Sequence, residues 1–465
     1  MRLVATSAVV GVLVIWSAGI AARASRPAAA AAAPPTFVDD IAPIVYTNCT
    51  VCHRPDQAAP FALISYDDVK RHGKTIADVV TRRYMPPWHA SRAEGFPEFR
   101  DERRLTDKQI ETITSWVGAG MPSGDLRKTP RPPIFPSGWT LGTPDLVLDF
   151  PKPIAVADEG PDQYRNVLIS VDLPDDKWIT AIDFEPTARA VVHHALFFAG
   201  PATTVVGDGD AIPGLGAGLL RGAGRGQREG GAPAPQPWIS VGGWVPGVTP
   251  RFYPEGIAQP LPRHSNVVVQ LHLHPSGKAE SEDGKLALYF AKTPPAKSLM
   301  SVQVPPVFGY AAGIDIPAGD NAFTLHDSFE LPVDVEAYGA RGHAHYLGRE
   351  MKMIATLPDG STRGLLWIKS WDFSWQDSYF YKTPLRLPKG TRVDVTIVYD
   401  NSDHNPRNPK NPPERVKWGR ESFDEMGSMS LLIAAPPGAD REALRAAEAQ
   451  HFRQQLIERA RRGGE

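Results

Sequence analysis

Two cysteines in 465 residues are too few for a disulfide framework, and both lie in one short stretch, at Cys49 and Cys52. A chain with no thiol outside that pair cannot staple its domains together, so its cores must hold by packing, and the pair itself calls for chemistry between the thiols or with a ligand. Charge of one sign is also missing: 50 Lys and Arg stand against 52 Asp and Glu, for a net charge of -2. That balance creates no global field toward nucleic acid or an anionic membrane. Beyond the first two dozen residues, no apolar run reaches the length of a membrane span.

The opening "MRLVATSAVVGVLVIWSAGIAARAS" is the exception: Arg2 precedes an apolar run and a small-residue exit at Ala22-Arg23-Ala24. It reads as an export signal over residues 1–24, cleaved near Ala24, which directs the protein to the periplasm. Retained, the same run would be an anchor and the only tie to a membrane.

A chain of this length divides into several domains. An Ala- and Pro-rich spacer covers 25–36. Residues 37–125 carry helical patterning: "FVDDIAPIVYTN" aligns Ile41, Ile44 and Val45, and "LTDKQIETITSWVGAG" has a capping box at Thr106 and Gln109 and a glycine exit at Gly118 and Gly120. A proline-rich, basic linker follows at 126–143. The period then changes. "NVLISVDL", "WITAIDFEP", "KLALYFAK" and "RVDVTIVYD" alternate apolar and polar residues between turn signals, which implies antiparallel sandwiches. The expected fold is multidomain: a small all-α cytochrome c-like domain, then two antiparallel β-sandwich, jelly-roll-like domains at 144–297 and 298–436. The expected break lies near "KTPPAKS", and a charged amphipathic helix at 437–465 lies on the second sandwich. A Gly- and Pro-rich insertion, Gly207 to Trp238, reads as a long loop.

Cys49-Thr50-Val51-Cys52-His53 is the attachment pattern of a c-type haem: two thiols join the porphyrin and the following histidine binds iron. A thioredoxin-like pair would follow a strand, whereas these surroundings are helical. A zinc site would need a second pair of ligands. For the sixth iron ligand the choice is Met85 in "RRYMPPWH", on a turn before the closing helix; Met121, His72 and His89 are the other candidates. With both axial positions filled, one covalent haem c carries single electrons.

The sandwich region holds three histidine clusters, His193 with His194, His272 with His274, and His343 with His345. One strand histidine is usually a hydrogen-bonded core residue; three clusters together point to metal. Residues i and i+2 of a strand face one side, so His343 and His345 can share an ion. His193 and His194 would point to opposite faces, so they can share an ion only at a strand end or a bulge. Imidazole sets without carboxylates suit copper or zinc, and a thioether at Met426 or Met429 favours copper.

The order "HHALFF", "GGWVPGVTPRFYPEGIA", "QLHLHP", "HAHYLG" and "DEM" resembles the copper type II ascorbate-dependent monooxygenases, the family of peptidylglycine alpha-hydroxylating and dopamine beta-monooxygenases, over residues 143–436. The resemblance implies two copper ions. His193, His194 and His272 would hold the electron-transfer copper, while His343, His345 and Met426 would hold the copper where O2 reacts and a C–H bond is cut. His274 would then stand behind the ligands. Arg341 falls where the peptide-amidating enzyme binds its substrate carboxylate; the other use of such an arginine is an ordinary surface strand position. The chain departs from the animal enzymes in lacking their disulfides, in having Ser428 and Ser430 after the methionine, and in the fused haem domain. The implied function is an exported monooxygenase acting on a small-molecule or peptide-like organic substrate, with electrons passing from an external one-electron donor through the haem; the rival is a non-catalytic protein that carries copper or electrons.

Overall fold

In the computed structural model the protein is described over residues 33–55, 57, 59–135, 138–202, 238–246, 248–435 and 439–462. The expected export signal, most of the spacer after it and most of the Gly207 to Trp238 insertion lie outside these residues.

The chain is mostly β-sheet, with several antiparallel sheets arranged in sandwich-like pairs. Its first part is helical: α1 (Ala42–Asn48), α2 (Tyr66–Arg71), α3 (Gly73–Thr81) and α4 (Asp107–Gly118). Capping boxes start α2 at Ser65 with Asp68 and α4 at Thr106 with Gln109, satisfying amides that the first helical turn leaves free. These helices close on a small core of their own, in which Phe37, Ile41, Val45, Val69, Ile113 and Trp116 are buried.

The first β unit contains β1 (Leu146–Asp149), β2 (Ile154–Val156), β3 (Gln163–Asp172), β4 (Lys177–Glu185), β5 (Val192–Pro201), β6 (Ile239–Trp244), β7 (Gln259–Leu261), β8 (His264–Leu273), β9 (Glu280–Glu282) and β10 (Lys285–Phe290). Two four-stranded sheets, ordered β1-β10-β4-β7 and β3-β8-β5-β6, bury Ile179, Phe184, Phe197, Val267, Leu271 and Leu288 between them. The Val-rich β8 sits between two neighbours and is buried on both faces, which is why it reads as a continuous apolar run.

The second β unit contains β11 (Ser298–Val304), β12 (Asp315–Ile316), β13 (Phe323–Glu330), β14 (Val335–Ala344), β15 (Gly348–Thr356), β16 (Thr362–Ile368), β17 (Ser378–Leu387), β18 (Arg392–Tyr399), β19 (Val416–Lys417) and β20 (Gly427–Ala435). Its two larger sheets, β11-β20-β14-β17 and β13-β18-β15-β16, pack over Met351, Met353, Val395, Ile397, Leu431 and Ile433. β18 alternates exposed or half-buried with buried positions along its length, as a one-sided strand must. A final helix, α5 (Ala439–Arg462), places Leu444 in this core. No helix among the described residues is long and apolar enough to cross a membrane.

Residues 86–104, between α3 and α4, form a strap on the second unit. Ala90 bridges Ile368, Phe99 bridges Tyr381, and the Ser91 amide donates to the Trp367 carbonyl at 2.7 Å. Trp88, Ala90 and Phe99 are buried in the second unit's core although they fall inside the 37–125 span. Arg103 adds a half-buried ion pair to Asp377 at 2.7 Å. The two β units meet through a further apolar cluster of Ile257, Leu299, Phe380, Leu432 and Ala434.

Candidate metal centres

In the ladder between β5 and β8 the register shifts between Val192 and His194. Sequence reasoning required a strand end or bulge at this point, and the shift lets neighbouring rings turn to one side. Nδ1 of His193 lies 3.2 Å from Nδ1 of His194, which lies 3.3 Å from Nδ1 of His272. Three imidazole nitrogens thus converge within 4.8 Å of one another, the geometry of a metal site. Burial first, then His272, pushes His193 down to about 3, and burial holds His194 well below the usual histidine range. Neutral imidazoles are the metal-binding form.

Behind His272 stands Asp162, with its side chain only 4 % exposed. It accepts from Nε2 of His272 at 2.8 Å, from Nδ1 of His274 at 2.6 Å and from the Ser422 hydroxyl at 2.5 Å. Burial alone would raise its carboxyl, but these donors outweigh it and hold the acid below its ordinary range. Tyr164 stacks on His272 with centroids 4.4 Å apart.

The second set lies at one end of β14 and β20. Arg341 and His343 share a strand face; His345 follows the strand, with ring centroids 5.3 Å from His343. Ala344 pairs with Gly427, so the next positions outward, His345 and Met426, are brought together by register. His343 Nδ1 engages Gln376 Oε1 at 2.6 Å, and His345 Nδ1 donates to the Asp424 carbonyl at 3.1 Å, which leaves Nε2 of each ring for a ligand. Burial lowers His343 to about 4 and puts His345 well below the usual range. Met426 is 6 % exposed. The fully buried Glu425 accepts amide protons from His345, Leu347 and Met426 at 2.5, 3.0 and 2.9 Å, tying the loop before β20 to the end of β14. Burial raises its carboxyl to about 8.

Phe373 stands between the two sets. Its ring is 4.5 Å from His193 and 5.3 Å from His345, centroid to centroid, and Tyr346 packs on it at 4.8 Å. Arg341 has no carboxylate partner among the described residues; its near neighbour is Tyr253, and burial lowers its guanidinium. A cavity of about 170 Å³ opens beside His193, lined also by Arg189, Pro246, His274, Tyr346 and Ser422.

In the helical region Cys49 ends α1, and a turn carries Cys52 and His53 back so that the His53 amide reaches the Cys49 carbonyl at 2.8 Å. Neither thiol is in a disulfide. Burial, with a smaller push from Cys52, raises the Cys49 thiol to about 12. His53 Nδ1 is 3.1 Å from the Phe61 carbonyl, so Nε2 is the ring nitrogen left to act as a ligand. Phe61 stacks on His72 at 3.8 Å. Met85 is half-buried beside Val80, Trp88, Arg104 and Ile110, a hollow that includes neither cysteine nor His53. Met121 packs its sulfur toward Gly73 and Trp116. His89 is half-buried, with its Nε2 atom buried and unpaired among the described residues.

Asp162, Phe373, Gln376, Ser422 and Glu425 were not found from sequence. Single polar or aromatic residues in loops carry no spacing signal, and each acts across long sequence separations.

No family model matches the sequence, and no curated protein matches it. Among solved structures, PNGF-II is similar with a TM-score of 0.28 and 10% identity over 64% of this chain and 66% of that chain, just under two thirds of its length. A peptide-N(4)-(N-acetyl-beta-D-glucosaminyl) asparagine amidase has a TM-score of 0.29 and 9% identity, covering 63% of this chain and 98% of that one. PBCV-1 VP54 has a TM-score of 0.22 and 7% identity, covering 62% and 92%. Likenesses of this size carry no argument about activity.

Proposed function

We propose that the chain is an exported copper-dependent monooxygenase that hydroxylates a C–H bond of an organic substrate with O2, fed with electrons through a fused c-type haem domain. The observation that carries this reading is the convergence of three Nδ1 atoms on one β unit, with Phe373 of the other unit in ring contact with both His193 and His345. The donors fit copper: desolvated neutral imidazoles, each held by an acceptor behind it in the second set, with a buried thioether at Met426. The haem motif fits as well, with two thiols outside any disulfide within one turn of a histidine whose Nδ1 is already engaged. Copper at the two centres would store one electron each and activate O2, and the haem would supply electrons singly.

The protein's own residues do the rest. His193, His194 and His272 form the electron reservoir's cage; His343, His345 and Met426 leave open positions for O2. Arg341, on the face of β14 that carries His343, positions an acidic group of a small or peptide-like substrate. The helical part of residues 37–125, without the 86–104 strap, forms the cytochrome c-like domain, with Cys49, Cys52 and His53 at one haem c; Met85, the expected sixth ligand, lines a hollow that includes none of the three.

A mass-spectrometric screen for products gaining one oxygen, with and without copper, tests the reading. A copper-dependent product supports it. Redox cycling with no product would instead make this a copper or electron carrier, and peroxide or water as the sole product an oxidase. Covalent haem is read by the alkaline pyridine spectrum of the exported protein, and Cys52→Ala is expected to weaken or abolish that attachment.

A further inference from the structure

Asp162 lies where three otherwise separate parts of the molecule meet. Its Oδ2 accepts both from Nε2 of His272 and from the hydroxyl of Ser422, and its Oδ1 accepts from Nδ1 of His274. A neutral imidazole has one ring proton. With that proton held at Nε2 by the acid, the lone pair of His272 is at Nδ1, the atom that faces His194. The same carboxylate grips the 420–426 loop of the other β unit, four residues before Met426. Two positions along, Tyr164 stacks on His272 and donates its hydroxyl to the Arg420 carbonyl at 2.6 Å. The first unit therefore holds this loop at Arg420 and Ser422, while the loop's Asp424 carbonyl and Glu425 carboxylate hold His345.

We propose that Asp162 is a positioning residue that joins the two centres into one thermodynamic unit: it aims Nδ1 of His272 into the trihistidine site and, through Ser422, sets the loop that presents Met426 beside His345. This rests on the two-centre reading above. A loop position that suits His272 is the one offered to His345 and Met426, so filling either centre alters the affinity of the other, and the effect is reciprocal.

Two kinds of measurement test this on the haem-bearing full chain stripped of copper. The first needs no metal: the imidazole nitrogen shifts of His272, read by 15N NMR, report an Nε2–H tautomer in the native chain and a mixed population in Asp162→Ala. The second titrates Cu(I) against a coloured chelator. Asp162→Asn is expected to weaken the trihistidine site by about 10- to 100-fold. Ser422→Ala leaves the acid on His272 yet is expected to weaken the second centre by about fivefold or more, the lower end of measured couplings. Ser422 bonds to none of His343, His345 and Met426 among the described residues, so that loss has no local explanation. An Nδ1–H tautomer in the native chain overturns the proposal, as does unchanged affinity at the second centre in Ser422→Ala. Should Asp162→Asn fail to fold by circular dichroism, the native tautomer and Ser422→Ala still decide. A native chain that takes up no copper sinks the monooxygenase reading instead, and the tautomer then reports separately on Asp162.

Discussion

The ring of Phe373 lies 4.5 Å from that of His193, on the opposite β unit, with 30° between their planes. Its centroid is also 5.3 Å from that of His345. One apolar ring thus touches an imidazole of each set.

Phe373→Leu keeps an apolar side chain there but removes the aromatic contact with both histidines. On the proposed function, copper loading stays as in the native chain while electron exchange between the centres slows by about tenfold, equivalent to ~1.4 kcal/mol of barrier. Rapid-freeze spectroscopy of the two centres after mixing with O2 checks this. Equal rates in both chains would leave Phe373 as filler.

Met426 is expected to be indispensable to hydroxylation and irrelevant to the haem. Met426→Ala abolishes product while the haem spectrum is retained. Truncating a side chain that is 6 % exposed also costs about 2–5 kcal/mol of stability. Activity is therefore compared at a temperature where both chains are folded by circular dichroism. Undiminished product formation removes Met426 from the ligand set.

Short-range spacing carried what was legible in the sequence. Cys49 to His53 is a five-residue signal, and His343 with His345 needs only the two-residue period of a strand. Even the irregularity at His193 could be demanded in advance, because adjacent residues of a regular strand cannot face one point. Asp162 was invisible for the opposite reason. Its partner Ser422 is 260 positions away, in a loop with no periodicity of its own. The strap at 86–104 was drawn into the helical region on sequence proximity alone; its burial comes from pairing with β16 and β17, which lie more than two hundred residues downstream.

Burial raises the carboxyl of Glu448, on α5, to about 7, with the Gln303 backbone, Arg445 and His451 opposing the shift, against an ordinary value of 4.5. Between those two values the folded chain binds the extra proton and the unfolded chain does not. Stability therefore falls as pH rises through that window and levels off above it. Glu448→Gln cannot ionise, so it should raise the melting temperature more at pH 8 than at pH 5. Parallel melting curves against pH would show that this carboxyl does not titrate in the window.

Trp88 belongs by sequence to the helical region and by packing to the second β unit, where it is 7 % exposed and meets Tyr379 edge-on at 5.1 Å. Removing a ring of that size from a core leaves a cavity that neighbours fill only in part, so Trp88→Ala is expected to cost about 3–5 kcal/mol. The location of the loss is the sharper test. Because Trp88 shares a core with Leu366, Tyr379 and Tyr381, hydrogen exchange should quicken in β16 and β17. Amides of α1 and α4, which close on a separate core around Phe37 and Trp116, should keep their protection. Loss of protection in those helices, with the strands unchanged, would mean that the strap is an appendage of the helical region and that the second unit folds without it.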